Sequence, residues 1–414
     1  MENLIYLDNG ATSFPKPDEV YTFMDSFYRS FGVNPGRSGY DLCMETGELV
    51  DRTRKLLTDF FNGNDPNRLC FSYNSTDALN LIIFGMLKQG DHAITTTLEH
   101  NSVLRPLYHQ RKFNGVEVDY VTFGTDGFVD PDDIKSKIKA NTRLVIINHA
   151  SNVIGTVQPV EAIGRICREH RVPFAIDASQ SAGKVPIDIE QLHIDIVAFT
   201  GHKSLLGPTG IGGLYVREGI EIRHTRAGGT GVRSAVRMHL DEYPYRLEYG
   251  TGNVVGIAGM HAGLKWIEER GMDLIHKQEM RLTRMLTDGL SELDGVSLYC
   301  QDDLTDHIAI ICFNIDGMEA LNAGTLLDGE YDIACRTGLH CAPLVHEQLG
   351  TAQIGGAVRI GIGPFNTEDH IRTAIEAIGE IVDFQKKNKP HIPNGFTSRS
   401  TNSRSRAESK DSPP

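Results

Sequence analysis

Short apolar runs alternate with stretches of helical periodicity through the first part of the chain. The runs of strand length are residues 92–97, 116–121, 143–148, 173–176 and 194–199. Apolar positions recur at helical spacing over residues 42–61, 77–88 and 160–169. Because continuous apolar strands separated by helices are typical of a parallel sheet covered on both faces, this pattern predicts an α/β fold. We expect this large domain to span residues 16–254.

The periodicity changes after Gly256. The predicted elements beyond it are an amphipathic helical stretch, two apolar runs and a last helix, at residues 262–293, 307–315, 358–362 and 367–385. This mixture predicts a smaller α+β domain. We expect residues 1–15 to complete it, together with residues 255–385.

The last 29 residues, 386–414, contain six serines, four prolines and few large apolar side chains. They cannot bury enough surface to fold, so we predict a disordered tail. The chain has a formal net charge of −13, and the tail carries seven Lys or Arg against Glu408 and Asp411, which leaves −18 on residues 1–385. Such an acidic body argues against nucleic acid as a partner, since phosphate contacts require clustered cations.

The seven cysteines are scattered and form no CxxC pair, which favours neither a metal site nor a disulfide framework. No apolar run approaches the roughly 20 residues that span a bilayer. The first residues show no basic segment followed by an apolar stretch. We therefore expect a cytoplasmic protein with reduced thiols, no metal and no membrane partner.

Polar residues follow several predicted strands, at the edge of a parallel sheet where ligands bind. Asn74-Ser75-Thr76 opens a helix, and its side chains are typical either of an anion site or of an ordinary N-cap, which is favoured for this segment alone. His100 is a candidate catalyst or a hydrogen-bonded surface residue. Asp177 ends an apolar run, so it requires a partner, which is either a local arginine, a helix cap or a cation in the cleft.

The most informative stretch is the apolar run at residues 194–199 with the loop that follows it. This loop contains Lys203 and continues into a glycine-rich segment, residues 207–213. A lysine at the end of a buried strand indicates close approach of a ligand, and lysine amines form Schiff bases with aldehydes. An anion site at residues 74–76, a cation facing Asp177 and an aldehyde facing Lys203 together describe pyridoxal phosphate.

A second candidate for chemistry is the loop at residues 335–343, with the sequence CRTGLHCAP. Arg336 and His340 favour the thiolate form of a neighbouring cysteine, which makes Cys341 a candidate nucleophile. The alternative is a small buried apolar residue, and it fits Cys341 less well than Cys335, which ends an apolar strand.

Ten short segments follow one another in a distinctive order. They are residues 6–12 (YLDNGAT), 34–38 (NPGRS), 74–78 (NSTDA), 99–100 (EH), 151–156 (SNVIGT), 177–180 (DASQ), 201–203 (GHK), 250–251 (GT), 336–342 (RTGLHCA) and 358–359 (VR). Together they resemble the class V aminotransferase family of pyridoxal-phosphate enzymes, and within it the cysteine desulfurases. The resemblance covers about residues 4–385 and implies the transferase fold type I, with a mainly parallel, helix-covered sheet.

The resemblance implies roles for the central residues of the site. Lys203 matches the lysine that forms the Schiff base and moves the substrate's α-proton. Asp177 matches the carboxylate that keeps the ring nitrogen protonated, and His100 the histidine that stacks on the ring. Arg359 matches the arginine that pairs with the substrate carboxylate, a task suited to a guanidinium. Cys341 matches the nucleophilic cysteine.

Further contacts to pyridoxal 5'-phosphate are implied in the same way. Asn152 and Gln180 match residues near the ring hydroxyl, and the residue that Asn152 matches is also near the substrate carboxylate. The residues that match the phosphate contacts are Ser75, Thr76, Thr200 and His202. Thr251 matches a threonine that a neighbouring subunit contributes to the phosphate, which implies a homodimer.

The activity implied is that of a cysteine desulfurase, which converts L-cysteine to L-alanine and transfers sulfur to Cys341 as a persulfide for a separate acceptor protein. The Cys341 motif is similar to that of the short-loop, sulfur-mobilisation type, although Leu339 replaces the first of two histidines. The segment after Arg359 also differs from the pattern of the best-known members. Alternatives are a C–S lyase or selenocysteine lyase, another class V aminotransferase-type enzyme, or a non-catalytic scaffold.

Overall fold

The computed structural model describes residues 4–35, 40–299 and 303–388. The strands in this part of the chain are β1 (Ile5–Tyr6), β2 (Leu69–Ser72), β3 (His92–Thr96), β4 (Glu117–Val121), β5 (Thr142–Asn148), β6 (Phe174–Asp177), β7 (Ile196–Thr200), β8 (Gly212–Val216), β9 (Val296–Leu298), β10 (Ile310–Ile315), β11 (Ile333–Ala334), β12 (Arg336–Gly338) and β13 (Ala357–Gly361). The helices are α1 (Asp18–Phe31), α2 (Asp41–Phe60), α3 (Ser75–Met86), α4 (Asn101–Asn114), α5 (Pro131–Ser136), α6 (Val160–His170), α7 (Val254–Arg270), α8 (Met272–Ser291), α9 (Ala320–Tyr331), α10 (Pro343–Gln348) and α11 (Glu368–Asn388). No helix among these residues is long and apolar enough to cross a membrane.

The large sheet has seven strands in the order β2-β8-β7-β6-β5-β3-β4. Strands β3 to β7 are parallel to one another, as the alternation of apolar runs and helices predicts. Successive side chains on a strand point to opposite faces, so Leu144 and Ile146 of β5 belong to a core cluster shared with α3 and α4. Val145 and Ile147 belong to the cluster on the other face, which includes side chains of α2, α6 and α7. The large sheet is thus covered by helices on both faces.

Strand β8 differs from the expectation of a glycine-rich loop at residues 207–213. It pairs antiparallel with both β7 and β2, and it begins at Gly212-Gly213. A Cβ atom on Gly212 would lie 2.7 Å from the carbonyl oxygen of Phe199, and one on Gly213 would lie 2.5 Å from that of Cys70. These two glycines therefore allow close approach of neighbouring strands rather than forming a turn.

The other strands form two smaller sheets. One is antiparallel with the order β12-β13-β10-β9, and the other is the parallel pair β1-β11. Leu286 of α8, Leu327 of α9 and Ile378 of α11 share a core cluster with Ile311 and Val358 of the antiparallel sheet. This arrangement of helices on a small sheet agrees with the predicted α+β part of the chain.

The amphipathic stretch at residues 262–293 is divided between two helices. Gly271, with a φ of 82°, separates α7 from α8, and a left-handed region of this kind favours glycine. Helix α7 packs against α1 and α2. The division into domains at residue 254 stays a prediction.

The last helix extends past the predicted start of the tail. Helix α11 continues to Asn388, and the Nζ of Lys386 in its last turn lies 2.9 Å from Oδ2 of Asp294. Basic side chains are favourable at a helix C-terminus because of the helix dipole. The predicted tail therefore begins no earlier than residue 389, and residues 389–414 lie outside the described part of the chain.

A buried ion pair joins the large sheet's loops to α8. Lys184 Nζ lies 2.8 Å from Oε2 of Glu279 and donates to the Ile362 carbonyl at 3.2 Å. Both side chains are buried. Burial raises the pKa of Glu279, and the charge of Lys184 opposes that shift.

Glu279→Ala is expected to lower the free energy of unfolding by about 3–5 kcal/mol, because it leaves the Lys184 ammonium buried without its counter-charge. Urea denaturation followed by circular dichroism measures the change. The control is Glu268→Ala, which removes an exposed pair with Lys265 and should cost less than about 1 kcal/mol. Equal losses in the two variants would contradict a structural role for the buried pair.

Candidate active site

A cavity of about 210 Å³ opens where the parallel strands of the large sheet end. Loops that follow β2, β3, β5, β6 and β7 supply most of its wall, as expected for ligand sites at the ends of sheet strands. Ten of the twelve predicted site residues line it, and they are Ser75, Thr76, His100, Asn152, Asp177, Gln180, Thr200, His202, Lys203 and Arg359. The structure thus brings together residues that are up to 284 positions apart in sequence.

One end of the cavity is suited to an anion. The side chain of Asn74 caps α3 by accepting from the Asp77 N–H at 2.9 Å, so the N-cap interpretation holds for Asn74. The N–H groups of Ser75 and Thr76 have no partner within the helix, and they lie at its positive end. Thr200 Oγ1 is buried and has no hydrogen-bond partner among the described residues. A phosphate placed here would satisfy these donors.

Two hydroxyls of the predicted anion site are already used within the protein. Ser75 Oγ donates to Asp177 Oδ1 at 3.1 Å, and Thr76 Oγ1 lies 2.7 Å from Ser102 Oγ. The buried Nδ1 of His202, like Thr200 Oγ1, lacks a partner in the described structure. The unsatisfied polar groups therefore come from the end of β7, from the loop after it and from the backbone of α3.

Asp177 is buried at the end of β6, and its partners are serines rather than an arginine. Oδ1 accepts from Ser75 Oγ, from the Ser179 N–H at 3.0 Å and from Ser179 Oγ at 2.5 Å. Among the described residues no donor lies within hydrogen-bond distance of Oδ2. A cationic group in the cavity would pair with this second oxygen.

Lys203 follows β7 and faces the same cavity. Burial lowers the pKa of its ammonium to about 8; the carboxylate of Asp177 opposes this shift, whereas the guanidinium groups of Arg359 and Arg336 add to it. An amine with this pKa is partly neutral near physiological pH, which is the form that attacks carbonyl groups.

His100 is both a helix cap and part of the cavity wall. Its Nδ1 accepts from the Ser102 N–H at 3.1 Å, which caps α4 and leaves the proton on Nε2. Burial lowers the pKa of His100 to about 4, and the charge of Lys203 acts in the same direction. The ring is therefore neutral and can lie flat against another ring.

Arg359 is almost completely buried on β13. Its Nη2 donates to Asp8 Oδ1 at 2.8 Å and its Nη1 donates to the Asn152 carbonyl at 3.0 Å, whereas Nε lacks a partner in the described structure. Arg336 lies directly opposite on β12. Like charges opposite one another repel, so this pair favours an anion in the cavity.

The Cys341 loop runs beside the cavity, and its neighbours Arg336 and His340 line the wall. Arg336 Nη2 donates to Cys341 Sγ at 3.4 Å. Asn152 Nδ2 donates to the His340 carbonyl at 2.7 Å, and the Asn101 N–H donates to the Cys341 carbonyl at 2.7 Å. The thiol is thus held next to a guanidinium by contacts from loops of the large sheet.

The other described cysteines lie in less reactive settings. Burial raises the pKa of Cys335 to about 12, and it also raises the pKa values of Cys70 and Cys167 above their ordinary value. Cys43 and Cys312 are buried. Among the described residues no group of three or more His, Cys, Asp or Glu side chains could hold a metal ion.

Comparisons with known proteins agree with this geometry. The family model of class-V aminotransferases matches residues 5–373. The chain belongs to this family. A probable cysteine desulfurase of Pyrococcus abyssi is 34% identical over 389 residues, which cover 92% of this chain and 95% of that protein.

Two solved structures are similar to this member of the class-V aminotransferase family over 92% of its chain and 96% of theirs. The apo structure of a cysteine desulfurase from Thermococcus onnurineus NA1 has 33% sequence identity and a TM-score of 0.86. The cysteine desulfurase CsdA of Escherichia coli, in an S-sulfonic acid form, has 26% identity and a TM-score of 0.84.

Two predicted residues of this family member lie outside the cavity lining. Cys341 adjoins it, as described above, and Thr251 is exposed on a loop before α7. Asp8 contacts Arg359, and Ser102 contacts His100. Sequence reasoning assigned a role to neither Asp8 nor Ser102. The signal for Asp8 was the presence of a carboxylate within the apolar N-terminal segment. No feature of the sequence pointed to Ser102.

Proposed function

We propose that this protein is a cysteine desulfurase, which converts L-cysteine to L-alanine and retains the sulfur on Cys341 as a persulfide. The observation that carries this proposal is the thiol of Cys341 beside Arg336, at a cavity that also contains a lysine amine of lowered pKa. An aminotransferase or a lyase has no need of a thiol in this position. The names of the relatives support the same activity.

We propose that the cavity holds pyridoxal 5'-phosphate. The buried, unsatisfied Thr200 Oγ1 and the free N–H groups of α3 fit its phosphate. Asp177 Oδ2 would hold a proton on the ring nitrogen, and the neutral ring of His100 would pack on the ring face. When bound, this cofactor supplies an aldehyde for amines and a ring that withdraws electrons from the substrate's α-carbon.

Two groups would bind the substrate and move its proton. Arg359 would hold the carboxylate, because its Nε lacks a partner and the guanidinium is fixed by Asp8 and Asn152. Lys203 Nζ, half neutral at about pH 8, would take the α-proton in its neutral form and later return it to carbon. Gln180 Nε2 donates to the Gly10 carbonyl at 2.9 Å and so holds the N-terminal segment against the cavity.

The sulfur step is a thiolate displacement at Cys341. Sγ attacks the substrate sulfur, an S–S bond forms, and the bond between sulfur and the substrate's β-carbon breaks. The electron pair of that bond stays with the carbon, which then takes a proton and becomes the methyl group of alanine. Arg336, at 3.4 Å from Sγ, favours the thiolate that begins this step.

We further propose that the persulfide sulfur passes to a separate acceptor protein and that the enzyme is a homodimer. Only 18 positions separate Cys341 from Arg359, so the loop has little reach of its own. Thr251 is exposed in the single chain, which leaves it available to the cavity of a second subunit.

The decisive experiment is to incubate the purified protein with L-cysteine and dithiothreitol, and to measure sulfide, alanine and pyruvate together. Sulfide and alanine in equal amounts are expected. Sulfide with pyruvate and ammonia would indicate a C–S lyase instead, and the absence of both alanine and pyruvate would indicate a non-catalytic protein.

Uptake of pyridoxal 5'-phosphate by the cofactor-free protein is expected to accelerate from pH 7 to pH 9 and then to level off. The neutral amine is the attacking form, and the pKa of Lys203 is lowered to about 8. The absorbance of the bound cofactor measures the rate, with Nα-acetyl-lysine as the control amine. A rate that continues to rise to pH 10, as for the control, would contradict the lowered pKa.

A further inference from the structure

Two buried histidines behind the cavity have no role in the reaction described above. His340 precedes Cys341, and its Nδ1 lies 3.1 Å from Nε2 of His346 on α10. His346 Nδ1 lies 2.7 Å from Oγ1 of Thr351, and His340 Nε2 lies 3.4 Å from the Arg336 carbonyl. All three side chains are at most 3% exposed. They form one chain of hydrogen bonds, which we call the histidine chain.

The direction of these hydrogen bonds follows from the Arg336 carbonyl, which can only accept. His340 Nε2–H therefore donates to it, and His340 Nδ1 must accept from His346 Nε2–H. His346 Nδ1 then accepts from the Thr351 hydroxyl. Both rings are neutral in this arrangement, in agreement with burial, which lowers the pKa of His346 to about 4 and that of His340 well below its ordinary value.

His340 is consequently not placed to act as an acid or base towards the substrate. Each of its two ring nitrogens is occupied by another group of the protein, although the residue lines the cavity and precedes the nucleophile. Its Nε2 instead forms a hydrogen bond with the carbonyl of the residue four positions earlier, which joins two parts of the same loop. That residue, Arg336, also supplies the guanidinium beside Cys341 Sγ.

The backbone of this loop requires such support. His340 and Cys341 have φ angles of 49° and 58°, in the left-handed region that costs a non-glycine residue on the order of 1–2 kcal/mol. Strained residues persist where their surroundings hold them, and they cluster at functional sites. Hydrogen bonds from Asn152 and Asn101 to the carbonyls of His340 and Cys341 fix the backbone from one side. The histidine chain holds the His340 side chain from the other side.

The far end of the histidine chain is anchored to the large sheet. Gln348, in the same short helix as His346, accepts from Thr97 Oγ1 at 2.8 Å and donates to the Phe123 carbonyl at 2.5 Å. Thr97 directly follows β3, in the connection that leads to His100. His340 and Cys341, the two strained residues, are thus connected through α10 to a part of the fold that does not depend on the Cys341 loop.

We propose that the histidine chain positions the thiol of Cys341 against Arg336, and that His346 and Thr351 are positioning residues for sulfur transfer. The expected change in turnover rests on the proposed function, whereas the expected change in the position of the Cys341 thiol does not. Without the histidine chain, the backbone of His340 and Cys341 relaxes and the hydrogen bond from His340 Nε2 to the Arg336 carbonyl is lost. Cys341 Sγ then moves away from the Arg336 guanidinium.

The test compares His346→Leu, Thr351→Val and His346→Gln in the cofactor-loaded enzyme. Iodoacetamide alkylation of Cys341 at pH 7, followed by peptide mass spectrometry, should be about tenfold slower in the Leu and Val variants, because Sγ loses the adjacent guanidinium that stabilises negative charge on sulfur. His346→Gln retains an amide donor towards His340 and should restore most of the rate.

Turnover provides the second measurement. The kcat for alanine formation should fall about 10–100-fold in the Leu and Val variants while KM stays constant, because misplacement of a reacting group by about 1 Å costs up to about 10²-fold. Arg359, which would hold the substrate carboxylate, is not part of the histidine chain.

His307→Leu is the matched control. It removes another buried imidazole, whose nitrogens lie 2.7 Å from the Ile154 carbonyl and 2.6 Å from the Ile308 carbonyl. It should lower stability without changing the rate of Cys341 alkylation. If His346→Leu fails to fold, Thr351→Val carries the test, since it removes one hydroxyl and keeps the shape of the side chain.

Unchanged alkylation rates in both variants would overturn the proposal, as would a raised KM with constant kcat. If the wild-type enzyme releases no alanine, the proposed function fails, while the alkylation comparison still decides whether the histidine chain positions the thiol.

Discussion

Lys203→Ala is expected to abolish turnover of L-cysteine, with kcat reduced by at least about 10³-fold, because the variant loses both a nucleophilic amine and a proton carrier. Borohydride should no longer attach the cofactor covalently to the protein. Burial makes this amine partly neutral, with a pKa of about 8, which suits both tasks. Peptide mass spectrometry after reduction locates the attached cofactor in the wild-type protein.

Lys16 provides the matched control, because burial also lowers its pKa to about 8. Its Nζ is occupied, since it donates to Ser13 Oγ at 2.6 Å and to the His202 carbonyl at 2.7 Å, and it does not line the cavity. Lys16→Ala should therefore keep the covalent attachment. Attachment to Lys16 in the Lys203→Ala variant would show that the lysine was assigned incorrectly.

Cys341→Ser is expected to form no persulfide and to release alanine more than about 100-fold more slowly than the wild-type enzyme, because an alcohol does not replace the thiolate as nucleophile. Cofactor binding should be unchanged, since none of the groups that would hold the cofactor is altered. Mass spectrometry after brief exposure to L-cysteine identifies the residue that carries the additional sulfur.

Cys335→Ser is the control for that experiment. Cys335 lies one residue before β12, and burial raises the pKa of its thiol to about 12, so it should carry no sulfur and its replacement should preserve turnover. Sulfur found on Cys335 in the wild-type enzyme, or alanine formation by Cys341→Ser at the wild-type rate, would contradict the desulfurase mechanism and favour the lyase.

The sequence was sufficient to place Asp177 and Lys203 at one cavity because parallel strands end at one edge of a sheet. Asp177 ends β6 and Lys203 follows β7, and these strands are neighbours, so the pattern of apolar runs is sufficient to bring the two side chains to one cavity. Asn74, Ser75 and Thr76, at the start of α3, line the same cavity for the same reason.

Features that depend on long-range packing were not predictable in this way. Strand β8 begins with two glycines, and their role appears only when the strands on both sides are known. Asp8 contacts Arg359 across 351 positions of sequence. His346 lies in a helix of six residues, too short for periodicity to reveal, and its partners His340 and Thr351 come from segments on either side of it.

The hydrogen bond from the Asn101 N–H to the Cys341 carbonyl has a consequence for how the enzyme tolerates motion. Asn101 is the first residue of α4 and directly follows His100, so the Cys341 loop and His100 are fastened to the same helix end. A displacement of this helix end would therefore move the Cys341 backbone and His100 together.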